Sequence, residues 1–175
     1  MTNEHPAHSV AGQDGLSDGP RAQADEPDGL MVFDGLCNFC SANVRLVLHA
    51  DRAGAIRFTS IQSPYGRHLA QRFSIDVDDP STFLFFEKGR PLEASEAAVA
   101  LARRLPAPWG WLSVVVLVPR PLRDAAYRFV ARHRYRIAGR RAACMIPSPE
   151  HRSRFVDEPP APAQPVGAST AKRPR

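Results

Sequence analysis

Two cysteines three positions apart, Cys37 and Cys40, sit in the run Asp34-Gly35-Leu36-Cys37-Asn38-Phe39-Cys40. Thiols at this spacing can cycle between dithiol and disulfide, provided one is held as the thiolate, the nucleophilic form of cysteine. A helix start supplies that condition. Its unpaired N–H groups and dipole favour negative charge on a sulfur at the first position, and the second sulfur falls one turn along the same face. The expected chemistry is thiol-disulfide exchange: Cys37, nearer the helix N-terminus and solvent, attacks a substrate disulfide, and Cys40 resolves the mixed disulfide. An ionised Asp34 beside Cys37 opposes thiolate formation. It must therefore be protonated and move protons, or be neutralised by an arginine such as Arg140 or Arg141. A cap on the following turn through the Asp34 side chain is the structural alternative.

The elements that must position this run are readable around it. Leu30-Met31-Val32-Phe33 is a short apolar strand broken by Asp34-Gly35. A helix over about 37–50 carries Cys40, Val44, Val47 and Leu48 on one stripe, with Asn43 and Arg45 toward water. Residues 56–60 alternate as a second strand, parallel to the first because the intervening helix is a crossover. Ser63-Pro64 opens a helix with Tyr65, Leu69 and Phe73. A strand at 82–86, a turn at 87–90 and a short strand near 91–93 form a hairpin. Ser95 caps a third helix, which Pro106 and Pro108 end. The order β-α-β-α-β-β-α predicts an α/β fold, a four-stranded mixed sheet flanked by helices, with the dithiol at the carboxyl edge of the sheet.

A C-terminal helical extension is expected over 108–156. Residues 111–118 suit either strand or helix. Pro119-Arg120-Pro121 then opens an amphipathic helix with Leu122, Ala125, Ala126, Phe129, Val130, His133 and Ile137 on one face. Arg123, Arg128, Arg132, Arg134 and Arg136 lie largely elsewhere. Gly139 ends this helix, and Cys144 follows in an irregular stretch.

The 175 residues leave room for one ordinary domain with a real core, expected over 30–156 with its compact part at 30–107. Residues 1–29 are acidic and poor in bulky apolar side chains, and 157–175 are rich in Pro and Ala, so both read as disordered tails. The formal charge of +5 conceals an asymmetry: counting residues gives about −5 before Leu30 and about +9 over 30–156. Arginines between Arg120 and Arg154 account for much of the excess, which suits a solvated face or an acidic partner. No RNA-binding aromatic motif, zinc-finger spacing or helix-turn-helix points to nucleic acid. The longest apolar run, 109–118, is about half a membrane span, and the start lacks a secretory pattern, so a cytoplasmic protein without a transmembrane segment is expected.

With its Asp34-Gly35 lead-in, the dithiol resembles that of the DCC family of predicted thiol-disulfide oxidoreductases, named for an aspartate and two cysteines, here Asp34, Cys37 and Cys40. The resemblance spans roughly 31–155 and takes in Gln62-Ser63, Ser95, the stretch 119–127, Arg134-Tyr135, Gly139-Arg140 and Cys144 to Pro147. It implies a thioredoxin-like fold with extra C-terminal helices and a redox activity on a protein or small-molecule thiol or disulfide; it supplies no substrate. Thioredoxins place a cis-proline just before the third strand, and here Pro80 is near that position, with Ser81 between it and Thr82.

Two readings stay open for Cys144: a third redox thiol near the pair, or a small buried apolar residue. No cofactor is expected beyond a Cys37–Cys40 disulfide. The alternative is an arginine-rich binding module without catalysis, whose cysteines hold a zinc site of Cys37, Cys40 and Cys144 with His133 or His151, or form a redox-sensitive site that gates the Arg120 to Arg154 surface. Other signatures fail. Phe33-Asp34-Gly35-Leu36 lacks a second aspartate, no phosphate-binding glycine loop or nucleophile elbow occurs, and residue 43 is Asn rather than the arginine of a cysteine phosphatase loop.

Overall fold

The strand Leu30–Phe33 (β1) is buried along its whole length because both faces of its sheet are covered. A computed structural model describes residues 26–159, in which β1 is followed by Asn38–Ala50 (α1), Arg57–Ser60 (β2), Pro64–Arg72 (α2), Leu84–Glu87 (β3), Arg90–Glu93 (β4) and Ala94–Arg104 (α3). A 3₁₀ segment, Trp109–Leu117, then leads to Arg120–Ala138 (α4) and a second 3₁₀ turn, Pro149–Arg154. The strands lie in the order β2-β1-β3-β4; β1 and β2 run parallel, and the other neighbours are antiparallel. This is the four-stranded mixed sheet flanked by helices, with C-terminal helices, that the sequence predicts.

Alternation along the strands divides the core between the two faces of the sheet. Met31, Phe33, Phe58 and Phe85 face α1 and α3, packing with Val44, Val47, Ala97 and Leu101. Leu30, Val32, Leu84 and Phe86 face α2 and meet Tyr65 and Leu69. Side chains of this size contribute roughly 1.5–3 kcal/mol each when fully buried, which anchors the sheet that carries the dithiol. Ser63 caps α2 through its side chain, accepting from Gly66 N–H, with Pro64 at the first helical position.

Several expectations change. Ser95 does not cap α3. It lies inside the helix, buried, where its hydroxyl bonds Asp124 and accepts from Arg123 Nε at 2.9 Å, while the start of the helix is held by Ala94 N–H donating to Thr82 Oγ1. Residues 109–117 are neither strand nor α-helix; they form a 3₁₀ segment with no buried residue. Asp79–Pro80 is trans, as most X-Pro bonds are, and the cis peptide bond among the described residues is Ala107–Pro108.

The expected tails fall mostly outside the described residues, but the last acidic residues of the N-terminal one are docked. Glu26 accepts from the Tyr65 hydroxyl and pairs with Arg72, and Asp28 pairs with Arg104 at 2.6 Å. These partners lie on α2 and α3, which composition read in isolation cannot bring to the tail.

The largest revision concerns α4. A helical apolar stripe ordinarily turns toward the core, yet Leu122, Phe129, Val130 and Ile137 are exposed and Arg134 is the buried residue of the helix. Polar partners select the inner face. Tyr127 receives the Phe83 N–H, Arg123 and Asp124 meet Ser95, and Arg134 reaches Asp34 and Asp79.

Candidate active site

Cys37 ends the turn after β1 and serves as the N-cap of α1, its sulfur accepting the Cys40 N–H at 3.3 Å. A cysteine sulfur thus fills the role usually taken by a Ser, Thr or Asp oxygen, where helix N–H groups and dipole favour negative charge. All three cysteines are free thiols. The Cys40 thiol, acting as donor, brings the Cys37 thiol down to about 6; its own N–H and the positive charge of Arg134 assist, against burial and the Asp34 carboxylate. The same hydrogen bond, with burial and the negative charge on Cys37, pushes the Cys40 thiol far up. The two sulfurs are therefore polarised, the thiolate favoured on Cys37 and the proton held on Cys40.

Exposure is opposite to the expectation. Cys37 has 0% of its surface accessible, whereas Cys40 is partly exposed. The cover is the chain that follows α4. It pairs across the active-site turn with an antiparallel bridge between Cys37 and Arg140, and Asn38 N–H donates to Gly139 O at 3.3 Å. Arg141 N–H donates to Leu36 O at 2.7 Å and Met145 N–H to Gly35 O at 3.0 Å; Asn38 Nδ2 adds a bond to Ala138 O at 2.9 Å. A segment about 100 residues downstream is invisible to local spacing rules, so the sequence misplaces Cys37 at the surface.

Asp34 is buried beneath the pair. Its Oδ1 accepts the Leu36 N–H and Gln62 Nε2, each at 3.0 Å, and its Oδ2 accepts the Tyr135 hydroxyl at 2.5 Å with Arg134 Nη2 at 3.7 Å. The turn-capping role is present, and so is a cationic partner, but that partner is Arg134. Arg140 instead donates to Asp78 O and lies over the Tyr135 ring, and Arg141 contributes its backbone N–H to Leu36. Arg134 also touches Asp79 at 3.3 Å, Tyr135 OH at 3.0 Å and Ala131 O at 3.1 Å. Burial and the bond to Asp34 push the Tyr135 hydroxyl up to about 12, so it stays a donor at neutral pH.

Gln62, Arg134 and Tyr135 thus join the site without having been assigned a role from sequence. The spacing Tyr127, Ala131, Arg134, Ala138 marks one stripe of α4, but the apolar stripe beside it is the stronger signal.

Cys144 lies against Gly35. A Cβ placed on Gly35 would come 2.1 Å from Cys144 Sγ and 2.6 Å from Ser60 Oγ, so only glycine allows this seat. Cys144 Sγ is 3.2 Å from Ser60 Oγ. Among the described residues, no three His, Cys, Asp or Glu side chains are grouped to hold a metal. His133 Nδ1 is 2.7 Å from Phe129 O, and His151 lies beside Glu150.

A cavity of about 570 Å³ opens on the other side of the pair, with Cys40, Asp34 and Arg134 in its wall and apolar side chains of α1, α3, α4 and the 3₁₀ segment around it. Of the two cysteines of the pair, Cys40 lines this cavity and Cys37 does not.

Comparison with known proteins shows the family of the chain. Residues 31–140 match the family model for DCC1-like thiol-disulfide oxidoreductase. The "Uncharacterized protein YuxK" of Bacillus subtilis (strain 168) is 37% identical over 130 residues, covering 74% of this chain and 95% of that protein. The "DCC family protein At1g52590, chloroplastic" of Arabidopsis thaliana is 34% identical over 118 residues, 67% of this chain and 69% of that protein. No solved structure matches the chain. The matched span contains the aspartate, both cysteines of the pair and the Arg134–Tyr135 partners of the aspartate, and the chain belongs to the DCC1-like thiol-disulfide oxidoreductase family.

Proposed function

We propose that this protein is a dithiol oxidoreductase in which Cys37 is the nucleophile and Cys40 the resolving thiol. The Cys37 thiolate attacks one sulfur of a substrate disulfide, forms a Cys37 mixed disulfide and expels the second substrate sulfur as thiolate. Cys40 gives its proton to that thiolate, attacks Cys37 and releases the remaining substrate thiolate. The pair ends as a Cys37–Cys40 disulfide and two electrons have passed to the substrate; the reverse sequence oxidises a dithiol substrate.

The carrying observation is the sulfur of Cys37 at the helix N-cap, with hydrogen-bond donors from both the backbone and the thiol of Cys40. Arg134 and Tyr135 position Asp34 so that its carboxylate is satisfied by donors and its repulsion of Cys37 is offset. Because Cys37 is covered, attack requires the 139–141 segment to part from Leu36 and Asn38.

A small aromatic disulfide such as 5,5′-dithiobis(2-nitrobenzoic acid) tests the assignment. In a Cys144→Ser background, which removes the third free thiol, the protein should release two aromatic thiolates and end with an internal disulfide, whereas adding Cys40→Ser should stop it at a mixed disulfide on Cys37. A faster mixed disulfide on Cys40 in Cys37→Ser than on Cys37 in Cys40→Ser would reverse the roles.

A further inference from the structure

The molecule exposes an apolar face that its own core does not use. In the 3₁₀ segment Trp109–Leu117, Trp111 is 75% exposed and Leu117 79%, and Leu112 and Val114 are also turned outward. On α4, Leu122, Phe129 and Ile137 continue the face. The two elements are neighbours, since Leu112 and Val115 share a cavity wall with Leu122 and Val130. Exposed large apolar side chains gathered on neighbouring elements point to a contact with protein or membrane.

Charge decides between occupants. Arg128, Arg132 and Arg136, four residues apart and all exposed, run as a stripe along the flank of the apolar face. Among the described residues no ion pair engages any of the three. A second copy of this chain seated here brings two arginine stripes together, which like-charge repulsion disfavours. An anionic lipid surface complements both parts at once: phosphate headgroups for the guanidinium stripe, and acyl chains for Trp111, Leu117 and Phe129. That division, apolar and aromatic side chains inward with basic ones at the headgroups, is how interfacial elements bind bilayers.

We propose that Trp109–Leu117 and the outward face of α4 form a docking face for an anionic lipid bilayer. No described helix is long and apolar enough to cross a membrane, so the contact is peripheral. The cavity that reaches Cys40 lies between the same elements, so docking turns its wall toward the lipid.

The test is co-sedimentation of the full-length reduced chain with vesicles of phosphatidylcholine alone and of phosphatidylcholine with phosphatidylglycerol. Retention on the anionic vesicles should exceed that on neutral ones by about tenfold or more and should fall as salt is raised. Trp111→Ser with Leu117→Ser should cut retention at least about tenfold. Arg132→Glu with Arg136→Glu should do the same on anionic vesicles only. These four side chains are exposed, so circular dichroism melting should be unchanged in both variants. Absence of retention, or equal retention of wild type and both variants, overturns the proposal. So does concentration-dependent dimerisation, abolished by Trp111→Ser with Leu117→Ser, in a protein that ignores vesicles.

Discussion

Replacing Asn38 by alanine isolates the segment that covers Cys37 from the groups that ionise it. Asn38 Nδ2 donates to Ala138 O at 2.9 Å and ties the start of α1 to the end of α4; the backbone bond from Asn38 N–H to Gly139 O survives the substitution. A hydrogen bond of this kind contributes a net 0.5–1.5 kcal/mol, roughly, to the closed state. Its loss should raise the fraction of molecules with the 139–141 segment open by about two- to twelvefold, at 1.4 kcal/mol per factor of ten. When opening is fast relative to chemistry, the alkylation rate of a covered thiol follows that fraction. Iodoacetamide labelling of reduced protein across a pH series, read by peptide mass spectrometry, gives both the plateau rate and the midpoint. The plateau for Cys37 should rise within that range. The midpoint should stay near 6, because the donors to Cys37 come from Cys40 and the favourable charge from Arg134, none of which the substitution touches. An unchanged plateau would show that the segment does not gate Cys37, and a shifted midpoint with an unchanged plateau would show that Asn38 acts on ionisation instead.

Arg134→Met leaves the buried Asp34 without its cation and removes an attraction that favours the Cys37 thiolate, so thermal stability should drop by a few kcal/mol, about 3–5, and the Cys37 alkylation midpoint should rise. Asp34→Asn removes the repulsion on Cys37 and should move that midpoint below the wild-type value, an inference that a rise would refute. Because the folded state holds Cys37 below its ordinary value of 9.0, at about 6, the reduced protein should gain melting temperature as pH rises from 6 toward 9 and lose it as pH falls through that window; Cys37→Ser should flatten this slope. Gly35→Ala forces a Cβ into Cys144 Sγ and should destabilise by about 1–3 kcal/mol, with partial recovery in Gly35→Ala/Cys144→Ala, since removing the sulfur relieves one of the two clashes.

Local signals in the sequence were enough for most of the sheet and for the placement of the dithiol. The β1–α1 junction is written by an apolar run, Asp34-Gly35 and a helical stripe, and Ser63-Pro64 marks the start of α2 in the same way. The site needed long-range contacts that periodicity does not carry. Arg134 reads as a surface residue because it sits among arginines, yet a buried carboxylate 100 residues upstream draws it inward and turns the apolar stripe of α4 out. Arg140 and Arg141, which the sequence offers as possible charge partners of Asp34, lie in the covering segment, where backbone pairing to Leu36 and Cys37 sets their direction. The resemblance had named Arg134-Tyr135 and Cys144, but a motif gives membership without contacts.

The central claim is that Cys37 and Cys40 form one redox couple. Its most direct test is a redox titration with thiol trapping and peptide mapping, run on wild type, Cys37→Ser and Cys144→Ser across the range of known dithiol centres, roughly −270 to −120 mV. The account predicts a single transition in wild type and Cys144→Ser, with a slope of about 30 mV per tenfold change, as a two-electron couple requires, and a mapped Cys37–Cys40 disulfide. Cys37→Ser should show no transition. A transition that maps to Cys144, or no Cys37–Cys40 disulfide anywhere in that range, would contradict it.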